Sequence, residues 1–287
     1  MSRASALLVC CALLLSAAGP LWRVAVADDE GEESLSAQES DETSRMIAAE
    51  LPNWKLWSGA DREHELTLHP KSVLRWTNPG VARVYGDVYL WTRDGRPEAV
   101  MSFYKFWAPY SQFTAEMHSL SLNGLSAERN GDVRWQPTKA GIELKSVPDA
   151  PLPAESAPRR LQQMRALAGG FSAQLTDQRV TGEGKEGERQ ELRLLTQPLY
   201  RYPAGEGEVL DGALFAIVLG TDPEVFVLLE ARRNSDKLTW QYGLARMNDG
   251  EMAVSYKDQK VWHCEKKGFN AVRGPITDPY RVQVLRR

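Results

Sequence analysis

Cysteine, histidine and catalytic signatures are all scarce in this chain. Only three of its 287 residues are cysteine and four are histidine. Cys10 and Cys11 sit in the N-terminal apolar run, so Cys264 is the lone cysteine of the remainder. A single thiol excludes an internal disulfide framework and a cysteine-based metal site, and a buried structural cysteine is the expected role for Cys264. No apolar run after the N-terminus approaches the ~20 residues of a bilayer span. No Gly-x-Ser-x-Gly nucleophile elbow occurs. His64 and His69 suggest a zinc-protease pair, but spacing i, i+5 misses the shared helical face that i, i+4 provides, and Pro70 opposes a helix. Residues 182–187, GEGKEG, lack the Ser or Thr after lysine and the following helix of a phosphate loop. Nothing calls for a metal or other cofactor.

The N-terminus points to export. Arg3, the apolar stretch from Ala6 to Ala18 and the small-x-small end Ala25-Val26-Ala27 have the three parts of a secretory signal peptide. The expectation is a signal over 1–27, cleaved between Ala27 and Asp28, and a secreted or periplasmic mature chain. An uncleaved anchor is the alternative, opposed by Pro20 and Arg23. Residues 28–44 contain eight acids and no base. That composition predicts a disordered acidic linker. With two arginines ahead of it, a chain total of −3 leaves +3 for residues 45–287. A nearly neutral folded part gives no electrostatic case for nucleic acid.

The ordered region is expected to start near Arg45, where residues 45–57 open with a short helix that Pro52 ends, and strand periodicity dominates from there. Val84–Arg93 and Glu98–Trp107 are aromatic and β-branched runs flanking Asp94-Gly95, the pattern of a hairpin. Residues 111–122 and 140–147 read as further strands. Leu161, Met164, Leu167 and Ala168 recur at helical spacing, which predicts an amphipathic helix over 157–168, extendable past Gly169-Gly170 to Thr176, with Ser156 as its cap. Strands follow over 188–202, 213–219, 224–232, 238–246, 252–256 and 260–263. The expected fold is mainly β. It has antiparallel sheets, as a sandwich or open barrel with meander connections, and one amphipathic helix near the middle. An N-terminal β-rich half over 45–150 precedes a helix and C-terminal meander over 151–287.

The segments DGRPEAVMSFYKFW, EMHSLSL, ELRLLTQPLYRY and DGALFAIVLGTDPEVFVLLEAR resemble parts of a family of exported planctomycete proteins, over about residues 45–265. The resemblance implies export and a β-rich architecture. It carries over no activity, ligand or site residue.

Two candidate sites come from the residues themselves. Glu116 and His118 share one face of a strand, where a carboxylate and an imidazole can form a catalytic acid/base pair or ligate a metal. A hydrogen-bonded pair ordering the strand is the plainer role. Trp91, Tyr104 and Trp107 on the hairpin offer aromatic faces for a ligand, and Arg96 beside the turn offers an anion contact. Core packing is the plainer role for such aromatics. The leading expectation is a non-catalytic binding or envelope-associated protein, with a carbohydrate, peptide or envelope component as partner. A hydrolase or metal-dependent enzyme built on Glu116 and His118 is the alternative, and a structural envelope component is a second.

Overall fold

The computed structural model describes residues 25–176, 189–203, 208–234, 237–267 and 276–285. The proposed signal region up to residue 24 and the GEGKEG segment lie outside the described residues. The chain divides into two compact units, Met1–Gln38 and Glu39–Arg287. The first is described only as the opening part of a helix, α1 (Ala25–Glu50), which crosses the boundary.

The second unit is built almost entirely of strands. After α1 and a 3-10 turn at Leu51–Asn53 come β1 (Trp54–Ser58), β2 (His64–Glu65), β3 (Thr67–Leu68), β4 (Leu74–Thr77), β5 (Arg83–Arg93) and β6 (Arg96–Ala108). These are followed by β7 (Gln112–Ser119), β8 (Leu125–Arg129), β9 (Asp132–Trp135) and β10 (Lys145–Ser146). Helix α2 (Ala157–Ala168) then leads into β11 (Phe171–Thr176), β12 (Arg189–Leu194), β13 (Tyr200–Pro203), β14 (Val209–Leu219) and β15 (Asp222–Asn234). Strands β16 (Lys237–Arg246), β17 (Glu251–Tyr256), β18 (Gln259–Cys264) and β19 (Tyr280–Val284) complete the order.

Three antiparallel sheets result. Strands β2-β1-β8-β9 form a small sheet. A central sheet runs β19-β7-β6-β5-β3, with β4 also on β5. The largest runs β10-β16-β15-β14-β12-β11-β17-β18, with β13 also on β14, and curls into a half-barrel. The central sheet is covered on both faces. Its odd-numbered residues Met101, Phe103, Ala115 and Met117 pack with Ile47 of α1 and with Trp54, Leu56, Leu125 and Ala127 of the small sheet. Its even-numbered residues Val88, Leu90 and Val100 pack with Leu214, Ala216, Phe226 and Leu228 of the half-barrel. The half-barrel's opposite face, with Phe215, Ile217, Val227 and Leu229, buries Met164 and Leu167 of α2. Burial on both faces explains why ALFAIVLG and EVFVLLEA are continuous apolar runs rather than alternating ones.

The mainly β, antiparallel architecture of the sequence reading is the observed one. The β5–β6 hairpin closes through Asp94 and Gly95, whose φ values of 51° and 84° fit the two-residue turn that matches strand twist. Four features differ from the expectations. The N-terminal helix, α1, begins at Ala25 rather than near Arg45. The acidic stretch expected to be disordered lies within α1. The segment has no proline and five glutamates, and glutamate is a good helix former. Thr43 and Ile47 are buried, so the end of α1 also gains tertiary packing. Helix α2 stops at Ala168. Gly169 and Gly170 end it, and Phe171–Thr176 form β11 instead of another helical turn. Ser156 is its N-cap residue without a side-chain cap bond. Finally, the two expected halves interleave: β19 from the C-terminus pairs with β7, and β10 joins the half-barrel through β16.

Candidate functional site

Glu116 and His118 do lie on one face of β7, as alternation requires, but neither is presented to solvent. Glu116 accepts hydrogen bonds from the hydroxyls of Tyr280 and Tyr104. Burial, with Asp222 and Asp249 nearby, pushes its carboxyl up to about 8, against the lowering effect of the two tyrosines. His118 Nδ1 is 3.0 Å from the Arg246 carbonyl and Nε2 is 3.1 Å from the Gly141 carbonyl. Two acceptors would suit an imidazolium. Burial opposes the charge, as do the Arg246 guanidinium and the Lys267 ammonium, and together they push the ring down to about 4. The neutral ring therefore donates to one carbonyl at a time. An acid/base pair needs access to a substrate proton. Here the catalytic expectation for Glu116 and His118 is corrected: both are buried, and both ring nitrogens of His118 face backbone. The cluster ties β19 to the central sheet.

The aromatic surface is corrected as well. Trp91 is 1 % exposed, in the core between the central and small sheets. Trp107 donates to Thr43 Oγ1 at 3.0 Å and so holds α1. Tyr104 points to the opposite face from Trp91, bonded to Glu116 and packed on Trp76 and Phe106. The three rings cannot form one platform, because alternation sends Trp91 and Tyr104 to different faces of the sheet. Trp54, Trp76, Trp135 and Trp240 are also buried, and no described tryptophan is classed as exposed.

Arg96 behaves differently. It starts β6 immediately after the hairpin turn. Its Nε donates to Glu230 Oε1 at 2.8 Å, and its Nη1 donates to Glu98 Oε1 at 2.8 Å and to the Leu120 carbonyl at 3.2 Å. Glu230 is fully buried and also accepts from Tyr202 at 2.6 Å and from Arg232 at 2.8 Å. Arg232 continues to Glu208 at 2.6 Å. Burial would favour losing the proton of Arg96, but Glu230 and Glu98 outweigh it and hold the guanidinium charged. Tyr200 pins the hairpin tip by donating to the Gly95 carbonyl at 3.0 Å.

This network forms the floor of a cleft of about 470 Å³ where the three sheets meet. Ser58, Gly59 and Glu63 line it from the small sheet, Arg93, Asp94, Arg96 and Glu98 from the hairpin, Ser121, Leu122 and Asn123 from the loop after β7, and Glu208, Val209 and Arg232 from the half-barrel. Its volume falls in the small-molecule range of about 300–1,000 Å³, but its lining is polar where most such sites are apolar. Two lining residues carry buried polar atoms with no protein partner, Ser58 Oγ and Arg96 Nη2. Ser126 Oγ and Trp240 Nε1, which do not line the cleft, are in the same state, so these atoms do not mark it. A smaller pocket lined by Tyr242, Val261 and Trp262 encloses about 50 Å³, scarcely more than the ~30 Å³ of one water. Arg160, in the first turn of α2, is consumed by buried Asp211 at 2.9 Å, which Arg201 also binds at 2.7 Å.

Sequence reasoning reached Arg96 through its place beside an Asp-Gly turn. It missed Ser58, Glu98, Glu230 and Arg232. Glu230 had a signal, as a lone carboxylate closing the apolar run EVFVLLE. Ser58 had none, because only the meeting of the sheets brings it to the same cleft as Arg96.

Fold and cleft together define an antiparallel β protein with a polar, small-molecule-sized cleft at a three-sheet junction. Comparison with protein-family models, curated proteins and solved structures finds no match.

Proposed function

We propose that the chain is an exported, non-catalytic binding protein whose ligand site is the cleft around Arg96. The observation that carries this reading is the cleft itself, about 470 Å³ and lined mainly by polar side chains from all three sheets. The wall is held in place before any ligand arrives. Tyr200 fixes the turn, Arg96 fixes the 120–123 loop, and Gly59 donates to the Gly124 carbonyl at 2.8 Å. Such preorganisation lowers the ordering cost of binding. The enclosed state of Glu116 and His118 favours binding over hydrolysis.

Export is part of the same reading and rests on the N-terminal sequence and on the planctomycete resemblance. No helix among the described residues is long and apolar enough to cross a membrane. Expression of the full chain in a Gram-negative host, followed by intact mass measurement of the periplasmic fraction, should give a product beginning at Asp28. An unprocessed chain confined to the cytoplasm contradicts export. For the site, a thermal-shift screen of polar small molecules should yield stabilisers of the wild type that do not stabilise Asn123→Trp, whose indole fills the exposed rim of the cleft. Equal stabilisation of both proteins would place binding elsewhere.

A further inference from the structure

We infer that the Arg96 cleft takes a small organic cation, a molecule with two or more ammonium groups on a short apolar spacer. The inference rests on the reading of the cleft as a binding site and adds the chemical class of what it binds.

The charges that face the opening decide the class. The inner ones cancel. Arg96, Glu98 and Arg232 keep 14 % or less of their side-chain surface and Glu230 none, and these two guanidinium groups and two carboxylates pair with one another. The outer ones do not cancel. Asp94 and Glu208 keep 84 % and 72 % of their side-chain surface and Glu63 is exposed, whereas Arg93 is the one exposed arginine of the lining. Arg93 lies 3.8 Å from Asp94, which leaves the carboxylates of Glu63 and Glu208 in excess. Glu208 also reaches Arg232, but that guanidinium is already balanced among the inner four. With Glu230 counted, five carboxylates stand against three arginines, a net charge of −2. Such a wall attracts a cation and repels a phosphate or carboxylate.

Geometry separates an organic cation from a metal ion. The excess carboxylates come from different sheets, Glu63 from the turn between β1 and β2 and Glu208 from the approach to β14. Among the described residues, no group of three or more Asp, Glu, His or Cys is arranged to hold a metal ion. A metal ion gathers its oxygens around one point, at about 2.0–2.6 Å. Carboxylates spread around a cleft of about 470 Å³ suit separate ammonium groups instead, each with three donors. Leu122 and Val209 give the spacer apolar surface to lie on. The Glu63 carboxylate is seated against Gly59, where φ is +73° and a Cβ would come within 3.0 Å of Glu63 Cδ. Among the described residues Glu63 forms no ion pair, so its charge is left for a ligand.

The test is a set of titrations of the full exported chain, observed by backbone amide NMR at low salt, with putrescine, spermidine, glucose, glutamate and magnesium as probes. Glu63→Gln and Glu63→Lys serve as site variants, because an exposed side chain outside every ion pair can change without loss of the fold. At least one amine should shift the amides of Glu63, Leu122 and Asn123. Its affinity should fall about threefold or more in Glu63→Gln and about tenfold or more in Glu63→Lys, where repulsion replaces attraction. Shifts at these amides from glucose, glutamate or magnesium but from neither amine would overturn the ligand class and leave the cleft as a binding site. Silence from all five probes at these amides would count against both readings. Amine binding that both variants leave unchanged would overturn the inference.

Discussion

Two polar clusters sit on the same face of the central sheet, in the seam with the half-barrel, and they are built on opposite principles. Around Glu116 the groups are buried and their charges are suppressed. The carboxyl is pushed up to about 8 between two tyrosines, and the His118 ring is pushed down to about 4. Around Arg96 the charges are kept and paired, Glu230 with two arginines and a tyrosine, beside a cleft. Neutralisation suits a structural tie, since an unpaired buried charge is expensive. Retained, paired charge next to open volume suits recognition. A residue's type therefore says less about its role than what encloses it.

The comparison is broken most severely by removing the charge at the centre of the second cluster. Glu230→Gln leaves Arg96 and Arg232 short of a counter-ion in the interior, and should cost about 3 kcal/mol or more. Urea unfolding at neutral pH measures it. A loss below ~1 kcal/mol would mean that the remaining partners, Glu98 and Glu208, carry these arginines.

The first cluster should speak through pH. His118 has a folded pKa below its usual 6.5, so the unfolded chain binds the extra proton between pH 6.5 and 4. Its contribution, on the order of 3 kcal/mol, is present above pH 6.5 and is lost as pH falls towards 4. Glu116 has the opposite sign. Its folded pKa is above 4.5, so its contribution is present below pH 4.5 and is lost as pH rises to about 8. The two slopes oppose one another between pH 4.5 and 6.5 and leave a plateau there. Glu116→Gln should remove the alkaline loss, gaining stability relative to the wild type as pH rises from 6.5 to 8, while His118→Gln leaves Glu116 unopposed and should turn the plateau into a fall with rising pH. Parallel stability–pH curves for wild type and Glu116→Gln contradict the neutral carboxyl.

The smallest effect separates the clusters most cleanly. Ser58→Ala removes a buried hydroxyl that bonds to nothing in the protein. Its stability should rise by up to ~1 kcal/mol or stay level, where burial of a bonded hydroxyl would make the change costly. A Tm drop of several degrees would show that Ser58 is a structural residue.

Much of the fold is legible in the chain, because it is written in local patterns. Asp94-Gly95 between two aromatic runs locates the longest hairpin of the central sheet, and apolar spacing at Leu161, Met164 and Leu167 locates α2. Composition misleads where propensity is ignored: eight acids over 28–44 point to disorder, yet five of them are glutamate, a good helix former, and buried Thr43 and Ile47 dock the end of α1. The exchange of β19 onto β7 joins residues more than 160 positions apart and leaves no local trace. The candidate site shows the same division. Arg96 follows a recognisable turn. The opposition of Trp91 and Tyr104 was available from strand alternation alone. Glu230 meets Arg96, and Ser58 lines the same cleft, only because three sheets stack, and no spacing rule spans that distance.

The most direct measurement is a crystal structure of the chain with a polar small molecule that stabilises the wild type in the thermal-shift screen. The predicted result is that molecule in the cleft between the three sheets, with the Arg96–Glu230 pair unbroken. The molecule seated elsewhere, with only water in the cleft, would contradict it.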